Sequence, residues 1–405
     1  MKRTMNTAFK STTFIFSKIH ERFISERSEF NLRLFSSIAI KKRKRYYWTH
    51  DKVPSKMMST VAMSQTPLGK ESASHLLKGL DVYTIYSDDE RKHPLSLYGI
   101  NSKDITSGDN QNRRPILLLH GRTWSSVPVY HLLGGQGETT QGGHKSRSLM
   151  ESLYNKGLQP YALDFRGFGG TPPDESNVVT PNTCVFDVGY ALDFITKKHD
   201  SHQRGNQGTQ ESHGSQHHHL PVLLGWSQGA LVAQLFAQKS PQLISKLVLY
   251  GSIYDPLVSY PPIPLYVNGT DSSTKNDRME NTFNAAIEDF TIEGSIPPEP
   301  ATKFAQAALL SDPYKAHWSY LSQFNNLDPA RVSVPTLVVA GDQDPYAPIR
   351  VQASLFENLG RGADRTWSII ADADHAVHLL DDGRDRFINL VTSFVENSKK
   401  GEKLF

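Results

Sequence analysis

Three short stretches of this chain carry residue types that can act together on an acyl group. The first is Gly225-Trp226-Ser227-Gln228-Gly229, which follows the apolar run Val222-Leu223-Leu224. Beyond it Leu231, Val232, Leu235 and Phe236 recur at helical intervals, and Ser240-Pro241 marks a stop. A strand, a tight turn and a helix therefore follow one another, with Ser227 at the tip of the turn. The flanking glycines suit a turn in which a side chain would clash with the neighbouring strand or helix. A serine hydroxyl is a weak nucleophile until a base takes its proton, and the base needs a carboxylate to hold its tautomer. Two later stretches offer these partners. Gly341-Asp342-Gln343-Asp344-Pro345 leaves the apolar run 335–340, and Ala371-Asp372-Ala373-Asp374-His375-Ala376-Val377-His378 leaves the run 366–370. His375 is favoured as the base because it is nearest the strand end; His378 reads as a structural histidine in the following turn.

These residues can converge only if the elements that carry them share one sheet. Apolar runs at 115–119, 160–163, 221–224, 246–250, 335–340 and 366–370 alternate with helical patterns. Among the latter are 148–156, a segment opened by Thr180-Pro181 with a Val185, Val188, Leu192 and Ile195 stripe, 348–359, and a closing segment with Phe387, Ile388, Val391, Phe394 and Val395. Such alternation calls for an α/β fold, a mostly parallel sheet with helices on both faces. Residues 79–86 and 95–100 read as strands, the second a hairpin partner of the first. The β/α rhythm breaks from Tyr254 to about Ala330, where 260–280 is rich in Pro, Asn, Ser and Thr and 281–325 looks helical. Residues 254–330 are therefore expected to form a mainly helical cap over the carboxyl ends of the strands, where open α/β sheets bind ligands. The core is expected at 76–253 and 331–405.

On these motifs the chain from about 113 to 397 resembles the α/β-hydrolases of the group with a cap, which holds esterases, lipases, carbon–carbon bond hydrolases and cofactor-free haloperoxidases. The matching stretches are His120-Gly121, Asp164-Phe165-Arg166-Gly167-Phe168-Gly169, the Ser227 turn, Gly341-x-x-Asp344-x-x-x-Pro348 and Asp374-His375. The resemblance implies that Asp344 rather than Asp342 is the acid, with turn or helix-cap chemistry left for Asp342. It implies a Ser227, Asp344 and His375 triad. The oxyanion would be held by two backbone N–H groups, that of Gln228 at the helix start and, by the same resemblance, that of Arg122. Many relatives carry an apolar residue at the latter position; the Arg122 side chain either faces an anionic substrate group or reaches solvent, and solvent is favoured. Asp164-Phe165-Arg166-Gly167 is read as fixing a loop beneath the site and His120 as a buried turn residue. Trp124, Trp226, Tyr254 and Phe324 are read either as lining an apolar pocket or as core.

The expected activity is that of a serine hydrolase on a small ester or related acyl substrate, with no cofactor and no metal. The alternatives are carbon–carbon bond or amide hydrolysis or acyl transfer on the same three residues, or a non-catalytic ligand-binding protein of the same fold.

Composition bounds the remaining classes. The 405 residues contain one cysteine, Cys184, which excludes a disulfide framework within the chain and a cysteine metal site, and fits a reducing, intracellular compartment. The net charge of +3 conceals an asymmetry: residues 1–60 hold fourteen Lys/Arg against four Asp/Glu, the rest thirty against thirty-seven. The basic character belongs to an N-terminal extension, residues 1–75, so it is no argument for nucleic-acid binding by the folded body. This extension is read as disordered or targeting. Arg33-Leu34-Phe35-Ser36-Ser37 resembles a mitochondrial processing site, although Glu21, Glu26 and Glu29 count against an import sequence. Lys41-Lys42-Arg43-Lys44-Arg45 fits a nuclear signal, an acidic-surface contact or a solvated tail. Met57, Met58 or Met63 as the true start is a further reading. A mitochondrial or a cytoplasmic location follows from these. Residues 134–147 and the Gln-, Gly- and His-rich 197–219, ending in His217-His218-His219, read as polar inserts; with His202 and His213 that tract is read as disordered rather than chelating. No integral membrane span is expected; the oligomeric state is open.

Overall fold

The computed structural model describes residues 75–88, 92–101, 113–133, 146–204, 220–266 and 278–396. The expectations for the N-terminal extension, for most of the 134–147 insert, and for His213 and His217 to His219 lie outside the described residues.

Eight strands form one sheet: β1 (Leu80–Tyr86), β2 (Pro94–Ile100), β3 (Arg114–Leu119), β4 (Leu158–Leu163), β5 (Val222–Trp226), β6 (Lys246–Tyr250), β7 (Thr336–Gly341) and β8 (Arg365–Ile370). Their spatial order is β1-β2-β4-β3-β5-β6-β7-β8. β1 and β2 pair antiparallel in full register from Leu80 opposite Ile100 to Tyr86 opposite Pro94, and β2 meets β4 antiparallel. From β4 to β8 every pairing is parallel. The mostly parallel sheet read from the apolar runs is present, and so is the hairpin.

Alternation along the buried strands explains the layers. Ile116, Leu118, Val222, Leu224 and Val248 point to one face; Leu117, Leu119, Leu223, Leu247 and Leu249 point to the other. Each of these ten side chains is fully buried, and burial of a Leu or Val is worth roughly 1.5–3 kcal/mol. Of the helices, α1 is Ser126–Tyr130, α2 is Leu149–Asn155, α3 is Pro181–Arg204 and α4 is Gln228–Lys239; α5 (Phe283–Ile287) and α6 (Pro298–Ser311) lie in the insertion between β6 and β7; α7 is Ile349–Asn358 and α8 Arg384–Glu396. α2 and α8 cover the first face with Leu149, Met150, Leu153, Phe387 and Val391; α3 and α4 cover the second with Val185, Val188, Leu192, Leu231 and Leu235.

Two expectations change. The helix from Pro181 runs on to Arg204, past the point where a low-complexity tract reads from Lys197. Lys197 bonding Asp193 at 2.7 Å, one turn back, supports that extension. The segment 281–325 is helical only in α5, α6 and a short 3-10 turn, Leu321–Asn326. Gly294 with a φ of 76°, the Pro297-Pro298 pair and Pro313 interrupt it, since proline withholds a donor and glycine ends helices.

Candidate active site

Ser227 sits where β5 hands the chain to α4. Its φ of 58° and ψ of −122° place a non-glycine residue in a strained region, a conformation that persists only when the surroundings over-determine it. The surroundings do so. Ser227 N–H donates to the Tyr250 carbonyl at 3.0 Å, and Ala230 N–H to the Ser227 carbonyl at 3.1 Å. A Cβ at Gly225 would lie 2.3 Å from the Gly229 carbonyl oxygen, and one at Gly229 would lie 2.3 Å from that of His120, so neither flank accepts a side chain.

Asp344 and His375 leave the ends of the adjacent strands β7 and β8. His375 Nδ1 donates to Asp344 Oδ2 at 2.7 Å, which leaves Nε2 as the basic nitrogen. The other oxygen, Asp344 Oδ1, accepts from the N–H groups of Tyr346 and Ala347, both at 2.9 Å, which fixes the carboxylate. Asp342 does something else: its Oδ1 accepts from Ala373 N–H at 3.2 Å and ties the two loops together. Burial alone would hold His375 neutral. The charge and hydrogen bond of Asp344, helped by Asp289 and Asp374, outweigh burial and raise its pKa above the ordinary histidine value.

The strand order puts β6 between Ser227 and this pair. Neighbouring strands lie about 4.8 Å apart, so the imidazole must pass over the end of β6. Gly251 makes room there. Its φ is 50°, and a Cβ would come 3.1 Å from His375 Nδ1 and 3.3 Å from Asp344 Oδ2. Trp226 completes the link: its indole N–H donates to the His375 carbonyl at 2.8 Å, and its ring lies 5.2 Å from the imidazole. The loops that carry Ser227, Asp344 and His375 thus lie at the same end of the sheet, with His375 bonded to Asp344 and to the residue before Ser227.

The oxyanion candidates are adjacent to it. Gln228 opens α4, so its N–H has no intrahelical acceptor. A Cβ at Gly121 would lie 3.3 Å from Ser227 Cβ, which brings the loop after β3 against the serine. His120 sets that loop. Phe165 N–H donates to its Nε2 at 3.1 Å, so Nδ1 carries the proton and donates to the Gly121 carbonyl at 3.0 Å. That carbonyl shares a peptide plane with Arg122 N–H. His120 is fully buried, and desolvation pushes its pKa down to about 3, so it stays neutral. The Arg122 side chain does not simply reach solvent: its Nε donates to Gln228 Oε1 at 2.5 Å, and Trp318 Nε1 holds its carbonyl at 2.9 Å.

His378 is fully buried, with its Nε2 donating to the Val129 carbonyl at 2.9 Å and its Nδ1 accepting from Tyr250 Oη at 3.0 Å. Trp124, Trp226, Tyr254 and Phe324 are all buried, with Trp124 edge-on to Phe304 and Phe324 packed on Tyr260. Arg166 pairs with Asp187 at 2.8 Å and with Asp174 at 3.2 Å, bracing the loop after β4.

Sequence reasoning misses four residues at the site. Gly251 leaves a trace, since it ends the apolar run of β6. Asp312, Trp318 and Asp289 leave none, because they lie in the insertion. Asp312 Oδ2 accepts from Ser125 N–H at 2.7 Å and Oδ1 from Gly169 N–H at 2.9 Å, while Asp164 takes the next N–H groups along, Ser126 at 2.8 Å and Gly170 at 2.9 Å. Desolvation raises Asp312 to about 7 and Asp164 to about 6. Asp374 Oδ2 accepts from Thr291 N–H at 2.8 Å, so the residue beside His375 also anchors the insertion. Among the described residues no group of three or more His, Cys, Asp or Glu is arranged to hold a metal ion.

The model of the alpha/beta hydrolase family matches residues 116–390, most of the chain and all of the elements above from β3 to the body of α8. The chain belongs to the alpha/beta hydrolase family. A "Probable alcohol acetyltransferase" of Saccharomyces cerevisiae is 29% identical over 163 residues, 39% of this chain and 37% of that protein. The chain thus spans a little over a third of that curated relative's length. Among solved structures, a thermophilic esterase from Thermogutta terrifontis superposes with a TM-score of 0.48 at 16% identity, covering 78% of this chain and 98% of the esterase. A hydrolase from Pseudomonas aeruginosa PA01 gives 0.48 at 16%, covering 79% and 99%. Among the described residues no helix is long and apolar enough to cross a membrane.

Proposed function

We propose that this alpha/beta hydrolase family member is a serine hydrolase that cleaves a small ester or related acyl substrate through Ser227, His375 and Asp344. Ser227 Oγ attacks the acyl carbonyl carbon and its proton passes to His375 Nε2. The carbonyl oxygen, now negative, is held by the N–H groups of Gln228 and Arg122. As the tetrahedral species collapses, the bond to the leaving group breaks and His375 returns the proton to it. Water then repeats the sequence on the acyl-serine. The observation that carries this reading is the 2.7 Å bond from His375 Nδ1 to Asp344 Oδ2, beside a serine held at positive φ. A fluorophosphonate probe is expected to label Ser227, and Ser227→Ala to lose labelling and turnover of a short-chain chromogenic ester by roughly 10⁶-fold. Undiminished turnover by Ser227→Ala would sink the proposal.

The yeast relative favours a second resolution of the same acyl-serine, by an alcohol instead of water. Ester formation measured in the presence of added ethanol, against acid release, gives the partition between the two. Residues 254–330 are proposed as the cap over this site. The basic extension over residues 1–75 is proposed as a targeting segment for mitochondria. Sequencing the mature N-terminus tests the latter, and an intact extension on protein from that compartment counts against it.

A further inference from the structure

Asp289 follows α5 in the insertion, where aromatic rings pack on one side and the charges of Asp374, Glu288 and His375 lie within electrostatic reach. Next to it, Phe290 meets Phe304 edge-on at 5.3 Å, and Phe304 meets Trp124 at 6.3 Å. Asp289 Oδ2 accepts the Trp124 indole N–H at 2.6 Å. Oδ1 has no hydrogen-bond partner among the described residues, and the side chain keeps part of its surface. No Lys or Arg nitrogen lies within 4.0 Å of it among the described residues; the Lys315 ammonium rests over the Tyr266 ring at 4.7 Å and feels the Asp289 charge from farther off. A carboxylate can accept about four hydrogen bonds, and desolvating one without an ion pair is costly. Two residues on, Thr291 N–H donates to Asp374 Oδ2 at 2.8 Å, which brings this segment against the residue beside His375, and the Asp289 charge favours the protonated form of that histidine.

That proximity fixes which part of a substrate Asp289 meets. His375 Nε2 hands its proton to the leaving oxygen, so the alcohol portion lies on the histidine side of the scissile bond. The oxyanion donors Gln228 and Arg122 define the opposite side. We propose that Asp289 is a specificity-determining residue that takes a hydrogen-bond donor, a hydroxyl or a protonated amine, on the alcohol portion of the substrate. This rests on the serine hydrolase reading, and it applies equally whether the alcohol leaves or enters.

The test separates binding from turnover. In the full chain carrying Ser227→Ala, calorimetry compares butyrate esters in isosteric pairs. One pair is 2-(dimethylamino)ethyl against 3-methylbutyl, the other 2-hydroxyethyl against propyl. Hydrogen bonds to charged groups lead us to expect roughly tenfold or tighter binding for the amine over its hydrocarbon isostere, and a several-fold preference for the hydroxyl. A second substitution, Asp289→Leu, is expected to equalise both pairs. Asp289→Asn is expected to lose the amine preference and keep much of that for the hydroxyl, and it serves if the leucine variant does not fold. Equal affinities within both pairs in the Asp289 chain, or an unchanged preference in Asp289→Leu, overturn the proposal. So does an effect of Asp289→Asn confined to the pH profile of the Ser227-bearing enzyme, which would make Asp289 only an electrostatic neighbour of His375. Failure of the serine hydrolase reading shows separately, as absence of fluorophosphonate labelling at Ser227 in the unsubstituted chain.

Discussion

His375 and His378 lie on one turn after β8, three residues apart, both buried and both packed against Trp226 at ring distances of 5.2 and 5.3 Å. Their chemistry is opposite. His375 bonds a carboxylate and takes on proton affinity; His378 is held by a tyrosine hydroxyl and a peptide carbonyl, and desolvation pushes it down to about 3. Burial is common to both, so burial does not make a base. What differs is whether the β7 loop supplies a charge. The same division holds across the site: His120, without a carboxylate, is also pushed to about 3 and serves to aim a peptide.

Replacing each histidine in turn is expected to give the largest difference. His375→Gln is expected to lower ester turnover by roughly 10⁴-fold or more, as loss of a general base in such a constellation does. His378→Gln is expected to change it by no more than a few-fold. Comparable losses from the two substitutions would show that the division by charge partner is false. Asp344→Asn removes the charge but keeps the shape. It is expected to cost up to roughly 10⁴-fold in kcat, because the amide favours the wrong imidazole tautomer. Asp342→Asn, which alters only a bond to Ala373 N–H, is expected to leave kcat within a few-fold.

The pH profile tests the role of the carboxylate charge without any substitution. In the proposed mechanism His375 must be neutral to accept the Ser227 proton. Its pKa in the free enzyme is raised, so kcat/KM is expected to fall on acidification with a midpoint above the ordinary histidine value of 6.5. Asp289→Asn removes one of the charges that raise it and is expected to move that limb to lower pH. A limb that stays in place in Asp289→Asn would remove Asp289 from the electrostatics of His375.

Residues set by the sheet were readable in the sequence, and residues set by the insertion were not. The apolar runs of β3 to β8 announced a parallel sheet, because strands buried on both faces need continuous apolar sequence. The placement of the loops carrying Ser227, Asp344 and His375 was legible because each follows such a run, where chain direction alone brings loops to one end of the sheet, while the choice of Asp344 over Asp342 came from the family resemblance. Asp289, Asp312 and Trp318 carry no local signature. Their partners, Trp124, Ser125, Gly169 and the Arg122 carbonyl, lie on loops more than 140 residues away, and nothing in 281–325 encodes that docking. The proline and glycine breaks there were visible, but they lie within a periodic apolar pattern that resembled continuous helix. Gly251 falls between these cases: its position ending β6 was visible, while its reason, the imidazole crossing above it, required the strand order.

The smallest expected effect concerns stability, where the two histidines should act with opposite sign. His375 has a raised pKa in the folded state, so its contribution is full below the unfolded value and fades as pH rises through the folded one. For His378 the folded value is about 3, against 6.5 for an unperturbed histidine. Over that window the unfolded chain binds a proton that the folded chain refuses, so stability falls as pH drops below 6.5. His378→Phe leaves the Val129 carbonyl and Tyr250 hydroxyl without their partner, which should cost about 1–3 kcal/mol at pH 7 to 8. Phenylalanine does not titrate, so this variant escapes the acid-side loss, which amounts to about 1.4 kcal/mol per pH unit for one group. Denaturant midpoints of the two proteins are therefore expected to converge as pH falls from 7 towards about 5. A stability gap that stays constant over that range would mean that His378 titrates alike in the folded and unfolded chains, and that its two neutral partners do not hold it unprotonated.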